Sequence, residues 1–176
     1  MGYSFIARDQ GAIHFVTFTV HQWVDIFTRS IYIEEFIKNL KYCQENKGLE
    51  IYAWVIMSNH CHLILRARHE NLSDIIRDFK KFTSKKLYRM IKEDPFESRK
   101  AWLLMTLKYE GRIWFWEAGY HGIEITSGKS FKKIVDYIHT DPVKAGIVRL
   151  PEDYPWSSAA DFEGKGDNLL DLHQYH

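Results

Sequence analysis

Two histidines, His60 and His62, flank a single residue within an apolar segment of the chain, residues 58–65. Side chains alternate between the two faces of a β-strand, so both imidazoles would share one face while Cys61 points to the other. The imidazoles would then lie about 7 Å apart along the strand, close enough to bind one divalent ion. A histidine pair that forms ordinary hydrogen bonds at a sheet edge explains the same spacing, and this motif alone leaves both interpretations open.

A second pair of candidates, Tyr137 and Asp141, is predicted to lie on one helix over residues 130–141. Residues four apart share a helix face, so a group bound by the Asp141 carboxylate would lie close to the Tyr137 hydroxyl. Pro142 disfavours continuation of the helix and predicts that it ends at Asp141. In the alternative interpretation, Asp141 caps a short turn over residues 142–145 and Tyr137 is an ordinary side chain at the edge of the core.

The periodicity of apolar residues predicts the elements that position these candidates. Alternating side chains predict a first strand buried on both faces and a hairpin that carries the histidines, over residues 12–19 and 50–66. Helical spacing predicts three helices, over residues 31–46, 71–92 and 130–141. This order is typical of an α+β fold, with a mainly antiparallel β-sheet and the helices packed on one face.

Some details of these elements follow from single residues. Ser73 is expected to cap the helix over residues 71–92, with Phe82 and Met90 on its core side. Between residues 94 and 128 the pattern is weaker and admits a helix over 98–109 and a short strand over 112–116.

The composition is that of one ordinary domain spanning residues 1–176, with 45% hydrophobic residues and no repeat or linker. With 24 basic and 23 acidic residues the net charge is +1, so any attraction to nucleic acid must come from a local pattern. Cys43 and Cys61 lack the spacing of a disulfide framework, which predicts reduced thiols and a cytoplasmic protein. No signal peptide or membrane-spanning run is recognisable, so no membrane partner is expected.

A basic stripe runs along the predicted helix over residues 71–92, with arginine or lysine recurring every four residues. Its members and their basic neighbours are Arg77, Lys80, Lys81, Lys85, Lys86, Arg89 and Lys92. Such a stripe is ordinarily a solvated face, but its place directly after the histidine strand favours contact with DNA phosphates. Thr83 and Ser84 would add neutral phosphate donors, and Lys133 and Lys144 would add positive charge around the tyrosine.

Two tryptophans offer a further DNA contact in the weaker segment. Trp114 and Trp116 could stack unpaired bases, although their alternation with Phe115 fits a packed strand equally well.

The histidine strand and the string Tyr-Ile-His-Thr-Asp-Pro-Val-Lys-Ala-Gly at residues 137–146 together resemble the HUH single-tyrosine transposases, in particular the REP-associated subgroup. The resemblance extends from the first strand to residues 156–159. It implies a ferredoxin-like sheet with the His-x-His motif on a central strand. It also implies that His60, His62 and Asp141 hold Mg²⁺ or Mn²⁺. Tyr137 would attack a phosphodiester in single-stranded DNA, leaving a 5′-phosphotyrosine and a free 3′-hydroxyl.

Two positions depart from the subgroup's pattern. Asp141 stands where an amide is usual, and because carboxylate oxygen suits Mg²⁺ or Mn²⁺ equally well, we expect a tuned site. Cys61 stands where a bulky aliphatic residue is usual, and we expect it to be a small buried hydrophobe. A metal-binding thiolate is the alternative if the strand is irregular. His121 and Glu124 precede the tyrosine helix and are either adjacent to the site or part of a solvated loop.

The sequence therefore predicts a metal-dependent DNA transposase whose partner is single-stranded or hairpin-containing DNA. One alternative is a non-catalytic DNA-binding relative of the same fold, against which the presence of every site residue type argues. Another is a metal-dependent phosphoester hydrolase that uses activated water, which would not need Tyr137 or the basic stripe. The oligomeric state is left open between a homodimer and a monomer.

Overall fold

The computed structural model describes residues 9–176, whose backbone forms a mixture of strands and helices. The side chain of His121 is not described. The elements are β1 (His14–Thr19), α1 (Ser30–Lys47), β2 (Leu49–Ile56), β3 (His60–Ala67), α2 (Leu72–Glu93), α3 (Lys100–Thr106), β4 (Lys108–Tyr109), β5 (Arg112–Ile113), β6 (His121–Glu124), α4 (Gly128–Lys144) and α5 (Ala159–Phe162).

The main sheet has four strands in the order β2-β3-β1-β6, and each neighbouring pair is antiparallel. The strand β3 therefore lies between β2 and β1, with His60 opposite Thr19 and His62 opposite Thr17. The predicted α+β fold and the placement of the His-x-His motif on a central strand are both confirmed. A central strand positions side chains rigidly, because hydrogen-bonded neighbours fix its backbone on both sides.

The helices lie on both faces of this sheet, so the prediction that they share one face is wrong. On one face, α1 and α2 enclose the larger apolar core, which includes Phe36 and Phe79. On the other face, Ile138 of α4 belongs to a smaller cluster with Val55 and Ile64 of the sheet. The physical reason is that β2 is buried along its whole length, so both of its faces require cover.

The helix α2 differs from its prediction in two details. It begins at Leu72, and the backbone N–H of Ser73 donates to the Gln10 side chain at 2.7 Å, so Ser73 is not the cap. Phe82 is 58% exposed and does not face the core. It lines a groove of about 610 Å³ between α1 and α2, where the facing side chains of α1, such as Tyr42, are polar or amphipathic and leave the gap open. Met90 is partly buried against the core, as predicted.

The helix α4 is longer at both ends than the sequence predicts. It begins at Gly128 after a reciprocal capping box between Ser127 and Ser130. It also continues through Pro142 to Lys144, because a proline in the last turn removes only one backbone donor, and the Ala145 N–H still donates to the Asp141 carbonyl at 3.0 Å. The prediction that the helix ends at Asp141 is wrong, and Asp141 does not cap a following turn.

The segment between α2 and α4 packs partly into the core. The helix α3 is shorter than predicted, and the predicted strand over residues 112–116 is reduced to β5. Trp116 is buried, and its indole N–H donates to the Thr83 hydroxyl at 3.0 Å. Thr83 is itself buried, so neither residue is available to DNA: the predicted phosphate contact of Thr83 is wrong, and Trp116 follows the alternative of a packed segment. Trp114 stays partly exposed.

No helix within residues 9–176 combines the length and apolar content that crossing a lipid bilayer requires.

Candidate active site

The two histidines of β3 and Asp141 of α4 form one cluster on the α4 face of the sheet. The imidazole rings of His60 and His62 have centroids 4.8 Å apart. The Asp141 Oδ2 atom lies 3.3 Å from His60 Nε2 and 3.7 Å from His62 Nε2. Donors that share an ion at about 2.1 Å lie about 3 Å from one another, so these three side chains are arranged as ligands of one divalent ion.

The orientation of α4 is set by its buried side and by a hydrogen bond to the sheet. Val135 and Ile138 are buried in the smaller apolar cluster. His139 Nε2 lies 2.8 Å from Ser158 Oγ, which accepts the backbone N–H of Trp54 in β2 at 2.9 Å. Because these contacts fix the helix about its own axis, the opposite edge of the helix presents Asp141 to β3.

The other ring nitrogen of each histidine has a hydrogen-bond partner. His62 Nδ1 lies 2.8 Å from Thr17 Oγ1, and His60 Nδ1 lies 2.8 Å from Asn59 Oδ1. The Asn59 amide nitrogen donates to Asp25 at 2.9 Å, which leaves its oxygen to accept from His60. With Nδ1 of His60 held by Asn59, Nε2 is the nitrogen that faces Asp141 and is left to bind an ion, as an imidazole ligand requires.

The electrostatics keep the ligands in metal-binding form at neutral pH. Burial, together with the neighbouring His60, lowers the pKa of His62 to about 4, so its imidazole is neutral. The hydrogen bond from His60, together with the nearby histidines, holds the pKa of Asp141 below its usual value despite partial burial. The neutral His62 imidazole and the Asp141 carboxylate are donors in the form that binds Mg²⁺, Mn²⁺ or a similar ion.

Cys61 points into the larger core on the opposite face, as the alternation predicts, and is fully buried. Burial raises the pKa of its thiol strongly, so the alternative of a metal-binding thiolate finds no support. Cys61 and Cys43 are both free.

Tyr137 lies beside the cluster at the entrance to a groove. Its side chain is 42% exposed, and its ring centroid is 5.3 Å from that of His62. Partial burial and the Asp141 charge raise the pKa of the phenol. The adjoining groove, of about 580 Å³, is lined by Phe15, Ile123, Ser130, Lys133, Ile134, Asp136, Tyr137, Thr140 and Lys144. This arrangement places a phenol hydroxyl next to a candidate metal site, with space for an extended ligand.

Residues 8–141, more than half of the chain, match the family described as "Transposase IS200 like". The chain belongs to this transposase family. A Haemophilus influenzae protein, provisionally named a REP-associated tyrosine transposase, is 27% identical over 152 residues, which cover 85% of this chain and 80% of that protein. A solved structure of a REP-associated tyrosine transposase bound to a REP hairpin matches 99% of this chain and 94% of its own, at 20% identity and a TM-score of 0.66.

Both relatives are of the REP-associated type, in agreement with the subgroup that the sequence motifs resemble. The transposase shares the fold of the solved relative along nearly its whole length. The fold brings together the three predicted ligand residues, His60, His62 and Asp141. The alternative, a histidine pair with ordinary hydrogen bonds at a sheet edge, gives no reason for Asp141 to lie beside them.

The basic residues of the transposase fall on two different faces. Lys133 and Lys144 line the groove beside Tyr137, and the Lys144 ammonium lies 5.2 Å from the tyrosine ring centroid. The basic stripe of α2 lies with that helix on the opposite face of the sheet. Its exposed members besides Arg77 are Lys81, Lys85, Arg89 and Lys92, and Lys86 is half-buried at the groove between α1 and α2.

Two members of the stripe are engaged within the transposase itself. The Arg77 guanidinium pairs with Asp74 at 2.5 Å and with Asp78 at 3.1 Å. The Lys80 ammonium donates to the backbone carbonyls of Glu117, at 2.7 Å, and of Gly119. Burial lowers the pKa of Lys80 to about 8. Lys80 therefore fixes the segment before β6, and a phosphate contact would have to come from its exposed neighbours.

The residues that precede α4 are separated by the alternation of β6. Glu124 pairs with His14 and lies on the face opposite the Ile123 side chain, which lines the Tyr137 groove. Glu124 is therefore not brought to the site. The backbone of His121 pairs with Thr17, next to His62, while its side chain lies outside the described part of the structure. Tyr120, the nearest sequence competitor for the nucleophile, is buried in the core on the α2 side.

Three supporting residues were missed by sequence reasoning. Asn59 carried a usable signal, since it directly precedes His60. Thr17 and Asp25 carried none, because their contacts with the site depend on strand pairing and on a loop that no local pattern defines.

Proposed function

We propose that this transposase cleaves and rejoins single-stranded DNA through a 5′-phosphotyrosine intermediate on Tyr137, with a divalent ion held by His60, His62 and Asp141. The observation that supports it is the shared edge of α4. Tyr137 and Asp141 lie one turn apart, both border the histidines, and Tyr137 also lines the open groove. A nucleophile and a ligand on one rigid helix keep a fixed distance, as in-line attack on a bound phosphate requires.

Mg²⁺ or Mn²⁺ at this cluster would supply Lewis-acid stabilisation of the charge that develops on a phosphodiester under attack. The chain's own contribution begins with the groove, where Lys133 and Lys144 place positive charge beside Tyr137. Lys144 is the cation nearest the tyrosine ring among the contacts described. Because Asp141 and burial raise the pKa of Tyr137, the phenol keeps its proton until positive charge offsets the developing phenolate.

The proposed step exchanges one phosphoester bond for another. Tyr137 Oη bonds to phosphorus, the bond from phosphorus to the 3′ oxygen breaks, the phenol loses its proton and the departing 3′ oxygen gains one. The 5′ phosphate stays on the tyrosine. A 3′-hydroxyl of a second strand can then attack the phosphotyrosine and restore the phenol, so rejoining needs no external energy source.

The exposed basic side chains of α2 would contact DNA outside the cleaved segment, because the sheet separates them from Tyr137. Lys81, Lys85 and Arg89 form this candidate surface with the half-buried Lys86 beside them, and Arg77 is partly neutralised at its N-terminal end.

The direct test is formation of a covalent protein–DNA adduct. The protein is incubated with a pool of single-stranded oligonucleotides that carry hairpins and randomised flanks, with Mg²⁺ or Mn²⁺, and adducts are resolved on a denaturing gel. We expect an adduct that a strong chelator abolishes. An adduct of undiminished yield in chelator would contradict the metal requirement, and its absence with every divalent ion would contradict the transposition chemistry.

The metal ligands are tested separately by Mn²⁺ titration of the protein alone. Asp141→Ala should weaken Mn²⁺ binding by at least tenfold, because the carboxylate supplies the only charged ligand of the cluster. Asp136→Ala, which removes an exposed carboxylate from the same helix, is the matched control and should leave Mn²⁺ affinity unchanged. Equal affinities for the two variants would remove Asp141 from the ligand set.

A further inference from the structure

Trp23 occupies an unusual position beside the candidate metal cluster. Its side chain is 60% exposed, and its ring centroid lies 5.8 Å from that of His60. Both Trp23 and the preceding Gln22 have left-handed backbone conformations, with φ of 56° and 54°. Bulky side chains rarely adopt this conformation, and an indole left in water gains little from burial that could offset the strain. The packing of the core therefore does not explain why this loop holds a tryptophan outward.

Glu117, in the segment before β6, holds the strained loop over residues 21–23 in place. The Glu117 carboxylate accepts the backbone N–H of Gln22 at 2.8 Å and lies 3.1 Å from His21 Nδ1. The backbone of Glu117 donates to the Thr19 carbonyl at 2.8 Å and accepts from the Lys80 ammonium. The loop is thus anchored to β1 and to α2, so Trp23 is presented on a fixed support, which is how strained functional loops persist.

We propose that Trp23 is a stacking platform for an unpaired nucleobase next to the phosphate held at the cluster, an inference that rests on the proposed function. Every base has a π-face, so an exposed indole binds single strands with little sequence preference. Since the ring borders His60, the stacked base would belong to a nucleotide adjacent to the cleaved bond. Trp114, partly exposed and with its ring centroid 6.1 Å from that of His21, extends the same surface.

Stacking on Trp23 would complement the groove on the other side of the cluster. Lys133 and Lys144 lie with Tyr137 in that groove and would contact phosphates, whereas Trp23 offers no charge. The contact therefore predicts a dependence on the base and not on ionic strength.

The test uses the Tyr137→Phe protein, which should bind without cleaving, and two probes of equal length in Mn²⁺. One probe is an oligothymidylate of about 20 nucleotides, and the other is an abasic deoxyribose-phosphate strand. Adding Trp23→Ala should weaken oligothymidylate binding about 5- to 150-fold, leave abasic binding unchanged and leave the salt dependence unchanged. Trp23→Phe should retain most of the affinity, because it keeps a stacking ring.

The matched control is Trp102→Ala, which removes another exposed tryptophan, 48% exposed on α3 and away from the cluster. It should bind both probes like its parent. Unchanged oligothymidylate affinity in the Trp23→Ala protein would overturn the stacking proposal while adduct formation by the wild type still upheld the proposed function. Reduced Mn²⁺ affinity in Trp23→Ala would also overturn it, by assigning the indole to support of His60. If the wild type formed no adduct and Tyr137→Phe bound neither probe, the proposed function itself would fail.

Discussion

The two faces of the main sheet have different roles, and β3 contributes side chains to both of them. On the α1 and α2 face, Cys61, Leu63 and Leu65 of β3 join a large apolar core. On the α4 face, His60 and His62 meet Asp141 above a smaller cluster, and buried polar groups such as His62 and His139 each have a hydrogen-bond partner. Because side chains alternate along β3, one set of them packs into the core that stabilises the fold. The other set includes the two histidines of the candidate site.

The largest effect on stability should come from the core on the α1 and α2 face. Phe36 is fully buried and contacts the rings of Phe27, Phe79 and Trp116. Phe36→Ala should lower the free energy of unfolding by about 3–5 kcal/mol, measured by urea denaturation. The protein that remains folded should bind Mn²⁺ with wild-type affinity, because the ligands lie across the sheet. A loss of Mn²⁺ affinity in that folded fraction would show that the two faces are not independent.

The free energy of unfolding should depend on pH through His139, which lies on the α4 face of the sheet. Burial lowers the pKa of this imidazole to about 4, whereas the unfolded chain titrates near 6.5. Between these two pKa values the unfolded state binds a proton at His139 and the folded state does not. The contribution of His139 to the free energy of unfolding is therefore fully present above pH 6.5 and is lost as the pH falls toward 4. The loss between pH 7 and pH 5 should be about 2 kcal/mol.

His139→Gln isolates that contribution, because an amide can keep the hydrogen bond to Ser158 but does not titrate. Urea denaturation in the presence of chelator should show a smaller loss of stability on acidification for His139→Gln than for the wild type. Identical pH dependence for the two proteins would remove His139 as the source.

The smallest expected effect distinguishes the two basic surfaces. Each lost contact with a single-stranded phosphate should reduce the slope of log affinity against log salt by about 0.7, so removing two lysines should reduce it by about 1.4. We expect this for Lys81→Ala with Lys85→Ala and for Lys133→Ala with Lys144→Ala. At saturating DNA, only the pair beside Tyr137 should slow cleavage. An unchanged salt slope in the α2 pair would assign those lysines to ordinary solvated surface.

Local spacing was sufficient to predict the central features of the site. Residues two apart on a strand and four apart on a helix share a face by geometry alone, so the pairs His60–His62 and Tyr137–Asp141 were predictable. The side of the sheet on which each helix packs was not predictable in this way. Which helix covers which side of the sheet depends on the pairing of β1 with both β3 and β6, and no local period encodes it.

Two of the failures, at Phe82 and Trp23, share that origin in long-range packing, whereas the third, at Asp141, is local. Phe82 has helical spacing with the core residues, but the gap between α1 and α2 stays open at its level. Trp23 gave no signal, since a strained loop has no periodicity and its support comes from Glu117, distant in sequence. Asp141 was expected at a helix end because Pro142 follows it, yet the helix tolerates a proline in its last turn.

The most direct test of the proposed chemistry is to locate the covalent bond. Tyr137→Phe removes one oxygen and keeps the ring that contacts Phe15 and His62, so the free energy of unfolding and DNA affinity should change by less than about 0.5 kcal/mol. The adduct should vanish, and peptide mapping of the wild-type adduct should find the nucleotide on the peptide that contains Asp136 and Tyr137. A nucleotide on any other tyrosine, or an adduct that survives Tyr137→Phe, would contradict the assignment of the nucleophile.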